Sequence, residues 1–318
     1  MFGILASLCF WRFVYLHICA LALLYFYVFA FWHLYVFAFW DFCIFVCLCK
    51  CLFVLLCQNI NMYRCMGKVI CVLNHKGGVG KTTTVANVAA GLNLLNKKVL
   101  MIDMDPQANL TGHFGFSQES EQTIYNSLIN NKTPLPVRNV EGIEGLDIVI
   151  SSTDDMADIE LQLSGVVGRE YILKELITPV KNSYDYILID CPPSLGIMPL
   201  NGLSCSDMAI IAVEPAKFSL DGMKKIFEAM EKVQSRINPN LKDYRVLITR
   251  YHSNKIIHQN VVENIKVRYE NHVFGTMVRG NVSLEEASME GMDIFRYSRK
   301  SNGAIDYMNV CKELIKIL

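Results

Sequence analysis

The sequence predicts an α/β fold: a doubly wound, mostly parallel sheet with helices on both of its faces. Three short apolar runs, each of the length of a buried strand, end at or next to polar or acidic residues. A glycine-rich loop joins the first run to a segment with helical apolar spacing. Strands that alternate with helices along the chain are typical of a parallel sheet in a single α/β domain.

The first strand is predicted at Val69-Ile70-Cys71-Val72-Leu73, a continuous β-branched and apolar run. Such a run is typical of a strand that is buried on both faces. From Thr82 to Leu95 the apolar residues recur at spacings of three and four, which predicts a helix with one buried face. The loop between strand and helix therefore lies at a helix N-terminus, where free N–H groups and the helix dipole favour anions.

That loop reads Lys76-Gly77-Gly78-Val79-Gly80-Lys81-Thr82-Thr83. Its end matches the pattern G-x-x-x-x-G-K-[ST] of the P-loop nucleoside triphosphatases. In this pattern glycines turn backbone N–H groups toward phosphates, while the lysine and the hydroxyl meet phosphate and Mg²⁺. His75 replaces the first glycine of the pattern, and we expect a positive φ angle there. Lys76 is one lysine more than nucleotide binding requires.

Two further strands end in carboxylates. The second, Val99-Leu100-Met101-Ile102-Asp103-Met104-Asp105, ends in two aspartates, and the third, Tyr186-Ile187-Leu188-Ile189-Asp190, ends in one. Ligands of open α/β sheets bind outside the carboxyl ends of the strands, so we expect all three aspartates to converge on the loop. Asp190 fits an acidic residue that helps to hold Mg²⁺. Asp105 is better placed to orient an attacking water.

These motifs resemble the ParA/MinD family of deviant Walker-A ATPases, and most closely its ParA (Soj-like) partition ATPases. The resemblance covers the chain from about Met66 to the C-terminus. The specific matches are the loop 76–83, the segment I-D-M-D-P-Q-A-N at 102–109, and D-C-P-P-S-L-G at 190–196 followed by Leu200-Asn201. Weaker matches are the segments 214–222 and 281–287.

The resemblance implies an enzyme that binds ATP and Mg²⁺ and hydrolyses ATP to ADP and phosphate. The loop residues 76–83 would hold the nucleotide, with Lys81 on the β- and γ-phosphates. Thr82 would ligate Mg²⁺, supported by Asp103 and Asp190.

The resemblance also implies an ATP-sandwich homodimer. Lys76 would be the signature lysine of the family, which reaches across the dimer to the nucleotide of the partner, and Asp105 would position the hydrolytic water. Lys76 and Asp105 are therefore the expected catalytic residues. A cation supplied by a second subunit stabilises transition-state charge as an arginine finger does, so hydrolysis becomes conditional on dimerisation.

The implied function is the partitioning of a plasmid, chromosome or mobile element, with a ParB-like centromere-binding protein that stimulates hydrolysis. Relatives bind non-specific DNA as ATP dimers, so the expected location is cytoplasmic and nucleoid-associated. The candidate DNA contacts are Arg250, Lys255 and Arg279. Relatives often read I-P-R-N-V-R-L, whereas this chain reads V-R-G-N-V-S-L at 278–284, with one arginine displaced and the second replaced by Ser283.

The net charge of the chain predicts no strong positive electrostatic field that would attract DNA. The 318-residue chain has 30 basic and 30 acidic residues, and its first 65 residues hold only three of the basic ones and one of the acidic ones. The remainder therefore carries a net charge of −2. Any attraction to DNA must come from a local patch.

Two alternatives from other classes stay open. A MinD-like positioning switch would use a membrane in place of DNA, through a C-terminal amphipathic helix. Val310, Leu314, Ile315 and Leu318 do form an apolar stripe, although such stripes on final helices more often pack on the core. A catalytically silent scaffold is disfavoured, because both loop lysines and all three aspartates are present.

The first 65 residues are of a different kind from the ATPase-like domain at 66–318. They hold eight of the 12 cysteines, all three tryptophans and a tandem aromatic repeat. Phe13 to Trp40 contains no Asp, Glu, Lys or Arg, and it is longer than the ~20 residues that cross a bilayer. The composition favours a translation start that was assigned too far upstream, because Met66 lies just before the first predicted strand. The alternative is that the first 65 residues are a real membrane anchor.

Overall fold

The computed structural model describes residues 19–26, 67–117, 122–130, 133–153, 158–216 and 219–318; for 219–221 it describes the backbone alone. The chain divides into two compact units, Met1–Arg64 and Cys65–Leu318. In the first unit the described residues 19–26 are helical and exposed. The uncharged segment from Phe13 to Trp40 lies largely outside the described residues. Within the described part of the chain, every helix is too short or too polar to span a bilayer.

The second unit contains one sheet, whose described strands number seven. The strands are β1 (Lys68–Leu73), β2 (Val99–Asp103), β3 (Val137–Asn139), β4 (Leu146–Val149), β5 (Tyr186–Asp190), β6 (Met208–Val213) and β7 (Asp243–Ile248). They lie in the order β3-β4-β2-β5-β1-β6-β7. All neighbouring strands pair in parallel except β3, which runs antiparallel to β4 at the edge. The predicted fold class is confirmed.

The helices follow the strands as crossover connections and as a C-terminal group. They are α1 (Lys81–Leu94), α2 (Asn109–His113), α3 (Ile124–Ile129), α4 (Ile159–Leu163), α5 (Ile172–Ile177), α6 (Ile197–Cys205), α7 (Ser219–Arg236), α8 (Ile256–Tyr269), α9 (Val282–Met289), α10 (Ile294–Tyr297) and α11 (Asn302–Ile317). Single 3₁₀ turns lie at Arg169–Tyr171, Lys181–Ser183 and Glu270–His272.

The sheet separates two hydrophobic cores because successive side chains of a strand point to opposite faces. In β1, Val69, Cys71 and Leu73 enter one core, whereas Ile70 and Val72 enter the other. Helices α3 to α8 contribute to the first core, and α1, α2 and α9 to α11 contribute to the second. A strand with both faces buried must be apolar throughout, which is why β1 reads as a continuous hydrophobic run.

The predicted element boundaries need three corrections. β1 begins at Lys68, one residue before the predicted strand. β2 ends at Asp103, so Asp105 lies two residues beyond the strand. Its pairing with β5 also ends there, with Asp103 opposite Asp190. The helix after the loop begins at Lys81 and ends at Leu94, one residue earlier at each end than predicted.

Candidate functional site

The glycine-rich loop connects the end of β1 to the first residue of α1. Gly78 and Gly80 have φ angles of 73° and 83°, in the left-handed region that favours glycine. Gly80 is also the N-cap of α1, and no side chain caps that helix end, so its first N–H groups face the loop. The positive φ angle predicted at His75 was wrong: the chain reverses at the two glycines instead.

Lys81 is the first residue of α1 and directly follows the loop. Its side chain is buried, and its Nζ donates a hydrogen bond to the carbonyl oxygen of Lys76 at 3.2 Å. Burial lowers the pKa of Lys81, while the carboxylates of Asp190 and Asp105 act in the opposite direction. A buried ammonium group beside two carboxylates is a compact positive charge in a position to meet an anion.

Asp190 ends β5, the strand next to β1, and is fully buried. Among the described residues, neither of its carboxylate oxygens has a hydrogen-bond partner of good geometry. Burial and then the nearby Asp103 raise the pKa of Asp190 well above its ordinary value, and the adjacent Thr82 hydroxyl works against that shift. A buried carboxylate without a hydrogen-bond partner of good geometry is costly, and a bound cation would reduce that cost.

The group around Asp190 fits Mg²⁺ in particular. No cluster of three or more His, Cys, Asp or Glu side chains suited to a metal occurs in the described part of the chain. Mg²⁺ does not need such a cage, because it keeps several waters and binds through one or two protein oxygens plus substrate phosphates. The Thr82 hydroxyl and the Asp190 carboxylate offer oxygens of this kind at the end of the phosphate loop.

Asp103 and Asp105 are held by helix α2 and by the segments that directly follow β2 and β4. The Asp103 carboxylate accepts hydrogen bonds from the Thr111 amide at 2.9 Å, the Thr111 hydroxyl at 2.8 Å and the Asp105 amide at 3.1 Å. Burial nevertheless raises the pKa of Asp103 to about 6. Asp105 accepts a hydrogen bond from the Gln107 amide at 2.9 Å through its carboxylate. The Ser151 hydroxyl donates to the Asp105 carbonyl oxygen at 2.9 Å.

The backbone of Lys76 is fixed, but its side chain is exposed. Its amide donates to the Oδ1 atom of Asn74 at 3.0 Å, and the Asn74 Nδ2 atom donates to the Ala212 carbonyl oxygen at 2.6 Å. The loop is thereby tied to the ends of β1 and β6. This arrangement leaves the Lys76 ammonium group available to a second molecule.

An open cavity of about 610 Å³ adjoins the loop. Its wall includes Gly80, Thr83, Thr249, Arg279 and Tyr307. The cavity therefore begins at the start of α1, where phosphates would bind, and extends toward the loops after β7. Its size suits the nucleoside part of a nucleotide.

The three candidate DNA contacts have different surroundings. Arg250 lines the cavity, and its Nη2 atom lies 3.3 Å from the Oε1 atom of Glu285, with both side chains exposed. Lys255 is exposed at the N-cap of α8 and is not part of the cavity wall. Arg279 lines the cavity and forms a two-point ion pair with Asp306. The structure thus brings Arg250 and Arg279 to one cavity and leaves Lys255 outside it.

The apolar stripe of α11 packs on the core. Val310 and Leu314 are fully buried, and Ile315 and Leu318 pack against the same core from partly buried positions. The helix contacts α1 directly: the Tyr307 hydroxyl lies 3.2 Å from the Thr84 hydroxyl. This packing uses the surface that a membrane-binding helix would need to expose.

Several residues that support the site were not predicted. Asn74 directly follows β1 and Thr249 directly follows β7, so both lie at the carboxyl ends of strands, as the aspartates of the site do. The Thr249 hydroxyl donates to the Val79 carbonyl oxygen at 2.7 Å and holds the loop from the β7 side. Thr111 has no such signal, because its contact with Asp103 depends on how α2 folds back over β2.

The fold and the loop together define a P-loop nucleoside triphosphatase domain. In agreement, a family model described as "AAA domain" matches residues 67–243. The chain is 37% identical over 250 residues to the sporulation initiation inhibitor protein Soj of Bacillus subtilis, an alignment that covers 78% of this chain and 98% of Soj. It is 35% identical over 252 residues to the chromosome partitioning protein ParA of Myxococcus xanthus, covering 79% and 89% of the two chains.

Among solved structures, cobyrinic acid a,c-diamide synthase from Mycobacterium smegmatis, with bound ADP and magnesium, superimposes with a TM-score of 0.68 at 29% identity. That match covers 79% of this chain and 95% of the other. On these grounds the chain belongs to the ParA/Soj family of partition ATPases.

Proposed function

We propose that this chain is a partition ATPase that binds ATP with Mg²⁺, dimerises on ATP and uses the hydrolysis of ATP to time its binding to DNA. The observation that carries the proposal is the buried carboxylate of Asp190, which has no good hydrogen-bond partner among the described residues and lies beside Thr82 and Lys81 at the start of α1. A metal-bound triphosphate at this place would satisfy all three groups.

The chain binds the triphosphate through the loop and the free N–H groups at the start of α1. The Lys81 ammonium group neutralises the β- and γ-phosphates, and the Thr82 hydroxyl and the Asp190 carboxylate hold the metal. Asp103, whose carboxylate accepts a hydrogen bond from the Thr111 hydroxyl, would support the residues that hold the metal. When bound, Mg²⁺ supplies positive charge that stabilises the developing negative charge on the phosphate oxygens. The cavity beside Gly80 accepts the nucleoside part.

Asp105 orients the water that attacks the γ-phosphate. The Gln107 amide fixes one of its carboxylate oxygens, and the Ser151 hydroxyl fixes the backbone carbonyl of the same residue. With one carboxylate oxygen and the backbone of Asp105 both fixed, the other carboxylate oxygen can accept a hydrogen bond from water in a constant direction. The resulting contribution is one of positioning and general-base assistance.

Lys76 acts on the nucleotide of a second subunit. Its exposed side chain on a fixed backbone is what a group that works across an interface needs. The added positive charge reaches the triphosphate only in the dimer, so hydrolysis depends on dimerisation. The family relationship to Soj and ParA supports DNA as the track and a ParB-like centromere-binding protein as the partner that stimulates hydrolysis.

Measurements of binding to DNA and to liposomes distinguish the proposed partition ATPase from a membrane-based switch. The full chain and a chain that begins at Met66 are each mixed with random-sequence duplex DNA, or with anionic liposomes, in Mg²⁺ and ATP or ADP. We expect DNA binding with ATP that weakens at least about tenfold between 50 and 200 mM salt, because phosphate contacts release counterions. ADP should weaken it, since a monomer presents half of the basic surface.

Lys81→Ala should abolish ATP binding, and with it the ATP-dependent DNA binding, because it removes the charge that contacts the phosphates. Lys266→Ala, a change at an exposed lysine of α8, is the matched control and should leave ATP binding unchanged. Liposome binding without DNA binding by the chain that begins at Met66 would support a membrane track instead. Loss of the liposome binding on deletion of residues 310–318 would place that contact in the last helix.

A further inference from the structure

Arg279 and Asp306 form an ion pair with fixed geometry. The Nε atom of Arg279 donates to Oδ2 of Asp306 at 2.9 Å, and Nη2 donates to Oδ1 at 2.7 Å. The backbone amide of Arg279 donates to Oδ2 as well, at 3.0 Å. Two parallel bonds from a planar guanidinium to one carboxylate fix the orientation of the guanidinium plane.

The two partners differ in their exposure. The Asp306 side chain is 7% exposed, whereas the Arg279 side chain is 44% exposed. The carboxylate is therefore a buried anchor, and the guanidinium is a group that the anchor presents at the surface. A buried carboxylate needs its cation, so the pair holds together as a unit.

The pair lies at the cavity beside the phosphate loop. Arg279 belongs to the cavity wall together with Tyr307, the residue after Asp306 in α11. The Tyr307 hydroxyl lies 3.2 Å from the Thr84 hydroxyl, which donates to the Gly80 carbonyl oxygen at 2.7 Å. Through its neighbour Tyr307, Asp306 is thus connected by hydrogen bonds to Thr84 and to Gly80, the N-cap of α1.

The backbone at Arg279 is also fixed. Tyr251 donates from its amide to the Val278 carbonyl oxygen at 3.0 Å, and Gly280 donates from its amide to the Tyr251 carbonyl oxygen at 2.9 Å. These bonds connect the segment around Arg279 to the loop after β7, which forms another part of the cavity wall. Backbone and side chain of Arg279 are therefore both held at the edge of the cavity.

We propose that Arg279, oriented by Asp306, packs its guanidinium plane against the base of the nucleotide bound at the phosphate loop. The inference rests on the proposed function, since it requires a nucleotide in that loop. It makes Arg279 a binding residue for the base and Asp306 its positioning residue.

Because the charge of Arg279 is already compensated, a base is a better ligand for its side chain than a phosphate. Asp306 already compensates that charge through two short hydrogen bonds, so the guanidinium gains little from a DNA phosphate or from the phosphates of ATP. Its planar face stays able to stack on an aromatic ring, an interaction that does not require an uncompensated charge. Arg250 is different, because its pair with Glu285 at 3.3 Å is a single exposed contact.

Calorimetric titration of the full chain with ATP and with inorganic tripolyphosphate, both with Mg²⁺, tests the proposal. Both ligands occupy the phosphate loop, but only ATP has a base. We expect Arg279→Gln to weaken ATP binding about tenfold and to leave tripolyphosphate binding unchanged. Arg236→Gln, at the exposed end of α7, is the control and should change neither affinity.

Asp306→Asn keeps the shape of the anchor but removes its charge, so ATP binding should weaken by about threefold. In the Arg279→Gln background the same change should have no additional effect on ATP binding, because Asp306 acts through Arg279. Arg279→Lys keeps the charge without the planar face and should lose as much ATP affinity as Arg279→Gln. It serves as the second variant if Arg279→Gln does not fold.

An equal loss for ATP and tripolyphosphate would overturn the proposal, since Arg279 would then act on the phosphates or on the fold. Unchanged ATP affinity with weakened DNA binding would also overturn it and would make Arg279 a DNA contact. Failure of the unaltered chain to bind either ligand would contradict the proposed function itself, and this outcome differs from both of the others.

Discussion

Two oppositely charged side chains at the phosphate loop are buried. Lys81 and Asp190 are both buried, and each one stabilises the charged form of the other. The pair is not closed by a direct hydrogen bond: the Lys81 Nζ atom donates to a backbone carbonyl oxygen, and the Asp190 oxygens have no good partner among the described residues. Two buried groups with unused hydrogen-bonding capacity are suited to a ligand that carries both anionic oxygens and a cation.

Replacement of Asp105 tests the assignment of the water-positioning residue. Asp105→Ala should slow ATP hydrolysis by roughly 10²-fold or more while ATP affinity changes little, because the carboxylate orients water and does not hold nucleotide. Single-turnover hydrolysis and equilibrium ATP binding measure the two effects separately. Asp105→Asn keeps an acceptor for the Gln107 amide but is no base, so the same slowing is expected. If either variant fails to bind ATP, Asp105 is a metal or structural residue instead.

His113 gives the free energy of unfolding a predictable dependence on pH. The side chain is 3% exposed, and burial lowers its pKa from the ordinary 6.5 to about 4, although Asp293 acts in the opposite direction. Between these values the unfolded chain binds the proton and the folded chain does not. Stability therefore falls as the pH falls from about 6.5 to about 4.

The expected contribution of His113 to the free energy of unfolding is on the order of 3 kcal/mol, from 1.36 kcal/mol per pKa unit. Urea denaturation of the unaltered chain and of His113→Gln at several pH values measures it. The difference in unfolding free energy between the two proteins should change across this window and be constant above pH 7. A constant difference at every pH would contradict the prediction.

At the scale of elements, the sequence predicted the strands that build the site and missed the contacts that support them. β5 begins and ends where the apolar run does, and β1 differs by one residue, because strands buried on both faces must be apolar throughout. The convergence of Asp190 with the loop followed from the shared edge of parallel strands. Thr111 and Asp306 carry no local pattern, since their roles come from packing between distant segments.

The C-terminal helix shows how an apolar stripe can be interpreted in two ways. The stripe of α11 suits a membrane or a protein core equally in sequence, but in the structure it fills the second core against α1. We therefore expect its buried residues to stabilise the fold. This expectation agrees with the assignment of the chain to the partition branch of the family.

Leu314→Ala measures the contribution of α11 to stability. Leu314 is fully buried, so the change should lower the free energy of unfolding by about 3 kcal/mol through lost burial and the cavity left behind. Ile305→Ala, at a side chain on the same helix that is 48% exposed, should cost clearly less. Chemical denaturation of both variants gives the comparison. Equal effects would mean that the stripe is not part of the core.

At the scale of the whole molecule, charge limits the ways in which the chain can bind DNA. From Met66 onward the net charge is −2, so no broad positive field attracts DNA to a single copy. A dimer that places two local patches side by side would double the number of phosphate contacts. We therefore propose that ATP-dependent dimerisation connects the nucleotide site to DNA.

The sedimentation of the Lys76→Ala variant in Mg²⁺ with ATP tests this connection most directly. The unaltered chain should sediment as a dimer with ATP and as a monomer with ADP. Lys76→Ala should bind ATP, since Lys81 and the loop N–H groups are intact, but should stay monomeric and lose ATP hydrolysis. A Lys76→Ala protein that dimerises and hydrolyses ATP as the unaltered chain does would contradict the account.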